Sequence, residues 1–133
     1  ASDILVAYEK SLCRDDILLT GRVSFDDLRA LYQGARLFVF PSLYEGFGLP
    51  ITEAFASELP VITSNCTSMP EVAGNAAILI DPHNTQEIAA ALEGLIQDSA
   101  LVERLKVAGL ARSSYFSWEE NAKKTASIYQ AMI

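Results

Sequence analysis

Two glutamates, Glu45 and Glu53, lie eight positions apart in the segment EGFGLPITE. An apolar run at residues 37–40 comes directly before this segment, and residues 54–57, mostly small, follow it. This order predicts a buried strand, a tight turn and the first turn of a helix, with Glu45 in the turn and Glu53 in the helix. Open α/β sheets hold ligands at such connections, and carboxylates bind hydroxyl groups. The pattern therefore predicts a site for a ligand rich in hydroxyls, namely a sugar nucleotide.

The turn between the two acids has a backbone suited to an anion. Gly46 and Gly48 allow a sharp turn and a close approach to a ligand. Pro50 lacks an N–H group, which the start of a helix does not need. The amides of residues 46–49 would then point at a phosphate or another anion.

Each acid also has a purely structural alternative. Glu53 can accept hydrogen bonds from two ribose hydroxyls, and Glu45 would lie on the rim of the same turn. Taken singly, Glu45 also fits a solvated acid in a turn. Glu53 also fits an acid at the start of a helix that interacts favourably with the helix dipole. The combination of two acids, two glycines and a proline behind a buried strand favours the binding interpretation.

Two other segments follow predicted strands and are weaker candidates. Gly21-Arg22-Val23 can meet a nucleobase or form a plain strand-to-helix turn. Residues 64–68 carry several hydroxyl groups and can line the pocket, although Ser68 also fits a helix capping box with Glu71.

Four short apolar runs predict parallel strands at residues 17–20, 37–40, 60–63 and 77–80. Capping signals predict helices between and after them, beginning near Ser24, Ser68, Asn84 and Ser117. The fold class is therefore α/β, with a Rossmann-like parallel sheet of about four strands flanked by helices, in a single domain over residues 1–133. The terminal helices, at about 84–133, should pack on the sheet layers, with Trp118 and Tyr129 at the last contact.

Composition excludes several classes. The chain has 133 residues and a net charge of −7, and it carries no lysine or arginine between residues 37 and 103. Such acidity argues against nucleic acid as a partner.

Cys13 and Cys66 lack metal-ligand spacing, which predicts two free thiols in a reducing, cytoplasmic compartment. No apolar run reaches the length of a membrane span.

The segment from Phe40 through Glu53 resembles the E-x(7)-E motif of retaining glycosyltransferases with the GT-B fold. Residues 60–64, 69–74, 80–82 and 116–118 also match the usual order of that family, the group 1 glycosyl transferases. The resemblance covers nearly the whole chain from about Ile17. In such enzymes this is the C-terminal half, which binds the nucleotide-sugar donor.

The resemblance implies roles for individual residues. Glu53 would hold the ribose hydroxyls, and the amides of Gly46, Phe47, Gly48 and Leu49 would contact the diphosphate and sugar. Glu45 would contact hydroxyls of the donor sugar and is the candidate catalytic residue, as a nucleophile by analogy with retaining glycosidases. Val23 would lie near the base. No cofactor or metal is implied, and the donor would be a GDP-sugar or UDP-sugar, with GDP-mannose the first choice.

The chain also departs from the family pattern. An arginine and a lysine that clamp the diphosphate are expected well upstream of the glutamates, yet only 44 residues precede Glu45. We therefore expect an N-terminally truncated fragment that is inactive alone, with a glycan or lipid-linked acceptor bound by a separate N-terminal domain. The full-length enzyme would be cytoplasmic or membrane-peripheral. The alternative is a non-catalytic nucleotide-binding or interaction module that associates with itself through an uncovered sheet edge.

Overall fold

A computed structural model describes residues 2–132 of the chain, which contain three strands, each followed by a helix, and seven α-helices in all. The strands are β1 (Phe38–Phe40), β2 (Val61–Ser64) and β3 (Ala77–Ile80). The helices are α1 (Ser2–Lys10), α2 (Phe25–Gly34), α3 (Leu49–Ala56), α4 (Met69–Ala73), α5 (Thr85–Gln97), α6 (Ser99–Ser113) and α7 (Trp118–Ala131). A short 3₁₀ turn, Arg14–Asp16, follows α1.

The strands form one parallel sheet in the order β1-β2-β3. Phe38 pairs with Val61, and Val61 pairs in turn with Ala77. All four residues of the central strand β2 are buried, as expected where helices cover both faces of a parallel sheet. The predicted α/β class with a parallel sheet is therefore confirmed.

The first of the four predicted strands, residues 17–20, is wrong. This segment lies outside any strand, and Leu18 is 80% exposed. In the six-strand doubly wound order 3-2-1-4-5-6, two strands separate the third from the fourth. With β1 in the fourth place of that order, a strand at residues 17–20 would take the third place, and the two strands that lie between them are not among residues 2–132. Residues 17–20 therefore have no strand to hydrogen-bond with in this part of the chain.

Three of the predicted helix caps are confirmed. The side chains of Ser24, Asn84 and Ser117 each accept a hydrogen bond from the backbone N–H three residues further on, at 3.1, 3.1 and 3.4 Å. Each bond satisfies one of the N–H groups that the first turn of a helix leaves unpaired. These helices begin where the local sequence predicts.

The core has two parts, one on each face of the sheet, because neighbouring residues of β2 point in opposite directions. Val61 packs with Ile51, Phe55 and other residues of α3 and α4. Ile62 packs on the other face with Leu95 of α5 and neighbouring apolar side chains. Helix α3 also packs against α6, where Phe55 lies over Gly109. The helix that carries Glu53 is therefore held between the sheet and α6.

The last helix does not pack as predicted. Trp118 is 78% exposed and Tyr129 is 67% exposed, and no residue of α7 is buried among those the structure describes. Apolar side chains at helical spacing show which face a helix would bury, but not whether a neighbouring surface is present to receive it. None of the helices within residues 2–132 has the length and apolar composition to cross a bilayer.

The α3–α6 contact gives a test of the packing. A Cβ at position 109 would lie 2.6 Å from Phe55 Cδ1, closer than real Cβ contacts allow. Gly109→Ala is therefore expected to lower the free energy of unfolding by about 1–3 kcal/mol, although alanine is the better helix former by roughly 1 kcal/mol. Urea denaturation followed by circular dichroism measures this change.

Gly94→Ala in α5 is the matched control, because a Cβ there would meet nothing within 4 Å. It should raise the free energy of unfolding by up to about 1 kcal/mol. An equal rise in both variants would contradict the close α3–α6 packing.

Candidate functional site

The loop between β1 and α3, residues 41–48, contains Glu45 and both glycines of the motif, and we call it the motif loop. Gly48 ends the loop as the N-cap of α3, with a φ of +94° in the region that favours glycine. A Cβ at this position would also approach Ile51 Cδ1 to 3.2 Å. The turn at Gly48 therefore needs glycine for both its backbone conformation and its packing.

The N–H groups of Gly46, Phe47, Gly48 and Leu49 donate no hydrogen bond to any atom of residues 2–132. They precede or begin α3, and unpaired N–H groups at a helix N-terminus favour anions. In the sequence Glu45 directly precedes this row, and Glu53 follows it four residues later within α3. The motif loop therefore offers unpaired hydrogen-bond donors next to Glu45.

Glu45 is half-buried and held in place by the protein. Its Oε1 accepts a hydrogen bond from Ser42 Oγ at 2.8 Å, and its backbone N–H donates to Thr67 Oγ1 at 3.3 Å. Its other carboxylate oxygen, Oε2, accepts no bond from residues 2–132. The carboxylate is oriented through one oxygen and retains the other for a ligand.

Glu53 lies just beyond the first turn of α3, whereas the prediction placed it within that turn. Because the helix begins at Leu49, Glu53 is its fifth residue, and the first turn contains no acid. The residue is exposed, and its Oε2 accepts a hydrogen bond from the Tyr32 hydroxyl at 3.2 Å. Tyr32, on α2, is buried, and its pKa is raised to about 12 by that burial first and by the negative charge of Glu53 second.

Tyr32 is the residue that the sequence interpretation missed. Tyr32 lies near the end of α2, and the sequence pattern assigned it no role. An aromatic residue with a polar tip at such a position was the available signal, because a buried tyrosine hydroxyl normally has a hydrogen-bond partner.

The segment between β2 and α4 donates hydrogen bonds to the motif loop. Ser68 Oγ donates to the carbonyl oxygens of Glu45 and Phe47, both at 3.0 Å, and Cys66 Sγ donates to the carbonyl of Leu43 at 3.5 Å. The predicted capping box at Ser68 is wrong, because this hydroxyl is directed to the loop and makes no cap bond. The hydroxyl-rich residues after β2 therefore support the loop.

Val23 lies in the irregular segment before α2 and is half-buried. The hydrogen bonds and ring contacts of the described chain connect α2 to the motif through Tyr32 and not through Val23. Its placement near a nucleobase stays a prediction.

A cavity of about 600 Å³ adjoins the motif loop, between the start of α3 and the start of α7. Phe47 and Leu49 line it on one side, and Phe47 meets Phe116 edge to face at 5.3 Å between ring centroids. Lys124 and Glu120 of α7 line its other side, so the fold brings a cation and an acid from far along the sequence to the cavity beside the motif loop. A second cavity, of about 540 Å³, lies near the beginnings of β1 and β2 and contains no residue of the motif loop.

Known proteins resemble this chain in sequence and in fold. The family profile described as "Glycosyl transferases group 1" matches residues 4–98. The chain is 44% identical over 112 residues to O-antigen chain mannosyltransferase B of Escherichia coli, covering 84% of this chain and 29% of that protein. It is 43% identical over 117 residues to serotype-specific mannosyltransferase WbdA of Escherichia coli (88% and 14%). It is 35% identical over 123 residues to MMP alpha-(1->4)-mannosyltransferase of Mycolicibacterium hassiacum (90% and 30%).

Solved structures show the same architecture. Sucrose-phosphate synthase from Thermosynechococcus elongatus superposes with a TM-score of 0.88 at 26% identity, covering 98% of this chain and 34% of that one. The C-terminal domain of the glycosyl transferase group 1 family protein LpcC from Francisella tularensis gives 0.73 at 28% identity, covering 86% and 60%. This chain thus spans at most 30% of the three mannosyltransferases it matches. It belongs to the group 1 glycosyl transferases and has the fold of their GT-B members.

Proposed function

We propose that this chain is the donor-binding part of a retaining glycosyltransferase that moves a hexose from a nucleotide sugar to a glycan or lipid-linked acceptor. One observation carries the proposal: Glu45 and Glu53 each keep free carboxylate oxygens, and the chain between them begins with a row of unpaired N–H groups. This row lies at the carboxyl end of β1, where open α/β sheets bind ligands. Hydroxyl groups and phosphates are the ligand chemistry that fits such an arrangement.

Each part of a sugar nucleotide has a partner in this assignment. Glu53 accepts hydrogen bonds from the ribose hydroxyls, and the amides of residues 46–49 bind the diphosphate and the sugar. Glu45 contacts hydroxyls of the donor sugar. When the bond between the sugar and the diphosphate breaks, its electron pair moves to a phosphate oxygen. Fixed N–H donors stabilise such growing charge without reorganising, so the proposed reaction uses no metal.

Mannose is the proposed sugar and GDP-mannose the proposed donor, with a UDP-sugar as the next choice. The names of the three relatives above, all mannosyltransferases, support this assignment. The acceptor would bind to parts of the enzyme outside this chain. A cytoplasmic enzyme at the membrane periphery, where lipid-linked acceptors lie, belongs to the same proposal.

A non-catalytic interaction module is the second candidate. The large apolar side chains Leu12, Leu18 and Phe25 are each at least 80% exposed, and the outer edge of β1 pairs with no strand of residues 2–132. An open strand edge beside apolar surface favours pairing with another chain. Self-association without nucleotide binding would favour this candidate over the first.

Glu53→Gln tests the ribose contact. The glutamine keeps the size of the side chain and loses its charge, so the Kd of GDP should rise about 10-fold or more, as expected for hydrogen bonds to a charged group. Calorimetric titration with GDP, UDP and ADP measures the change and identifies the base. Glu93→Gln, an exposed residue of α5, is the control with the same change in net charge. Equal affinities for wild type and Glu53→Gln would contradict the assignment.

Glu45→Gln separates the sugar contact from the nucleotide contact. It should reduce the preference for GDP-mannose over GDP by roughly 3- to 10-fold, because one neutral hydrogen bond replaces a charged one. The Kd of GDP alone should change by less than about 2-fold. A variant that weakens both ligands equally would place Glu45 away from the sugar.

Ser68→Ala tests the support of the motif loop. Loss of the hydroxyl leaves the carbonyls of Glu45 and Phe47 without their donor, at a cost of about 1 kcal/mol in the free energy of unfolding. Amide exchange measured by NMR should speed up at residues 46–49. Ser127→Ala in α7 is the control, since that hydroxyl also donates to a backbone carbonyl but lies on another helix. Unchanged exchange in Ser68→Ala would show that the loop keeps its shape without this bond.

A further inference from the structure

The ring of Tyr32 is fixed by the core. Only 8% of the residue is exposed, and the ring meets Phe38 of β1 edge to face, with 5.4 Å between centroids. Phe38 in turn stacks on Phe40 at 5.9 Å. The tyrosine belongs to the same cluster as Ile51 and Phe55 of α3. Its hydroxyl therefore projects from a rigid support toward the helix that carries Glu53.

Glu53 needs such a partner because its side chain lies at the surface. A glutamate has three rotatable side-chain bonds, and an exposed one samples many orientations. The Tyr32 hydroxyl donates to Glu53 Oε2 at 3.2 Å, and residues 2–132 contain no other hydrogen bond to this carboxylate. That bond favours one orientation of the carboxylate over the others.

The bond also leaves room for a ligand. A carboxylate can accept about four hydrogen bonds, two at each oxygen. Tyr32 occupies one position on Oε2, so Oε1 and the remaining position on Oε2 stay available. Two adjacent hydroxyl groups, such as a ribose diol, can therefore bind while the tyrosine stays in place.

We propose that Tyr32 is a positioning residue that fixes the Glu53 carboxylate for a ribose diol, and that the pair selects ribonucleotides over 2′-deoxyribonucleotides. This inference rests on the proposed function, in which Glu53 binds the ribose. Selection follows because a preorganised carboxylate loses more when one of its two hydroxyl partners is missing than a freely rotating one does.

The protonation state of Tyr32 is consistent with this role. Burial, and then the charge of Glu53, raise the pKa of the phenol to about 12. A raised pKa favours the neutral form, so the hydroxyl keeps its proton and remains a donor at neutral and mildly alkaline pH.

Tyr32→Phe tests the inference, because it removes the hydroxyl and keeps the ring. The Kd values of GDP and 2′-deoxy-GDP, with UDP and 2′-deoxy-UDP as a second pair, give the ribose preference of each variant. Tyr32→Phe should reduce that preference by roughly 3- to 10-fold, the usual effect of one hydrogen bond. In the Glu53→Gln background the same substitution should cause little further loss, because the two residues act through one carboxylate.

Two controls separate positioning from stability. Leu95→Ala creates a cavity in the core on the other face of the sheet and leaves the Tyr32 cluster intact, so it should lower the free energy of unfolding and keep the ribose preference. Tyr129→Phe removes an exposed phenol of α7 and should change neither quantity.

The outcomes distinguish the positioning role of Tyr32 from the proposed function of the chain. If the wild type prefers the ribonucleotide and Tyr32→Phe keeps that preference, the positioning role is overturned and the proposed function stands. If the wild type binds no nucleotide, or binds ribonucleotides and 2′-deoxyribonucleotides equally, the ribose assignment of Glu53 fails and the role of Tyr32 fails with it.

Discussion

Phe55 of α3 occupies the space that a side chain at position 109 of α6 would need, with its ring 2.6 Å from where that Cβ would lie. This contact lets α3 approach α6 closely while its other side packs on the sheet. Interiors packed at this density resist displacement. The first residues of α3 end the motif loop, and its fifth residue is Glu53. The positions of the candidate ligand groups therefore depend on a buried contact that contains none of them.

The hydrogen bonds that support the motif loop leave the N–H groups of residues 46–49 unused. Protein hydroxyl and thiol groups donate to its acceptors, namely the carbonyls of Leu43, Glu45 and Phe47 and the carboxylate of Glu45. Its N–H donors at residues 46–49 have no acceptor in the described chain. Apart from Thr67 Oγ1, which accepts from the Glu45 N–H, the groups that hold the loop in shape do not compete for its donors. A ligand that supplies acceptors, such as a diphosphate, complements what remains.

The net negative charge of the chain does not by itself favour an anionic ligand. No lysine or arginine occurs between residues 37 and 103, so the donors at the loop act through dipoles and not through full charges. Lys124, on α7, lines the cavity next to Phe47 and Leu49. Helix α7 buries none of its described residues, which leaves this cation on an exposed helix. The cavity beside the motif loop is therefore lined by one cation and one acid, Lys124 and Glu120, both from a helix that is distant in sequence.

The sequence alone determined the α/β class, three of the four predicted strands, the caps at Ser24, Asn84 and Ser117, and the motif that shows the family. These features are local, since backbone sterics and neighbouring side chains decide a turn or a cap within a few residues. Only the tertiary structure decided that residues 17–20 have no strand to pair with and that α7 stays exposed. It alone also placed Tyr32 against Glu53, 21 positions away. Such outcomes depend on which surfaces meet, and a local pattern shows what an element can bury or bond without showing what lies opposite it.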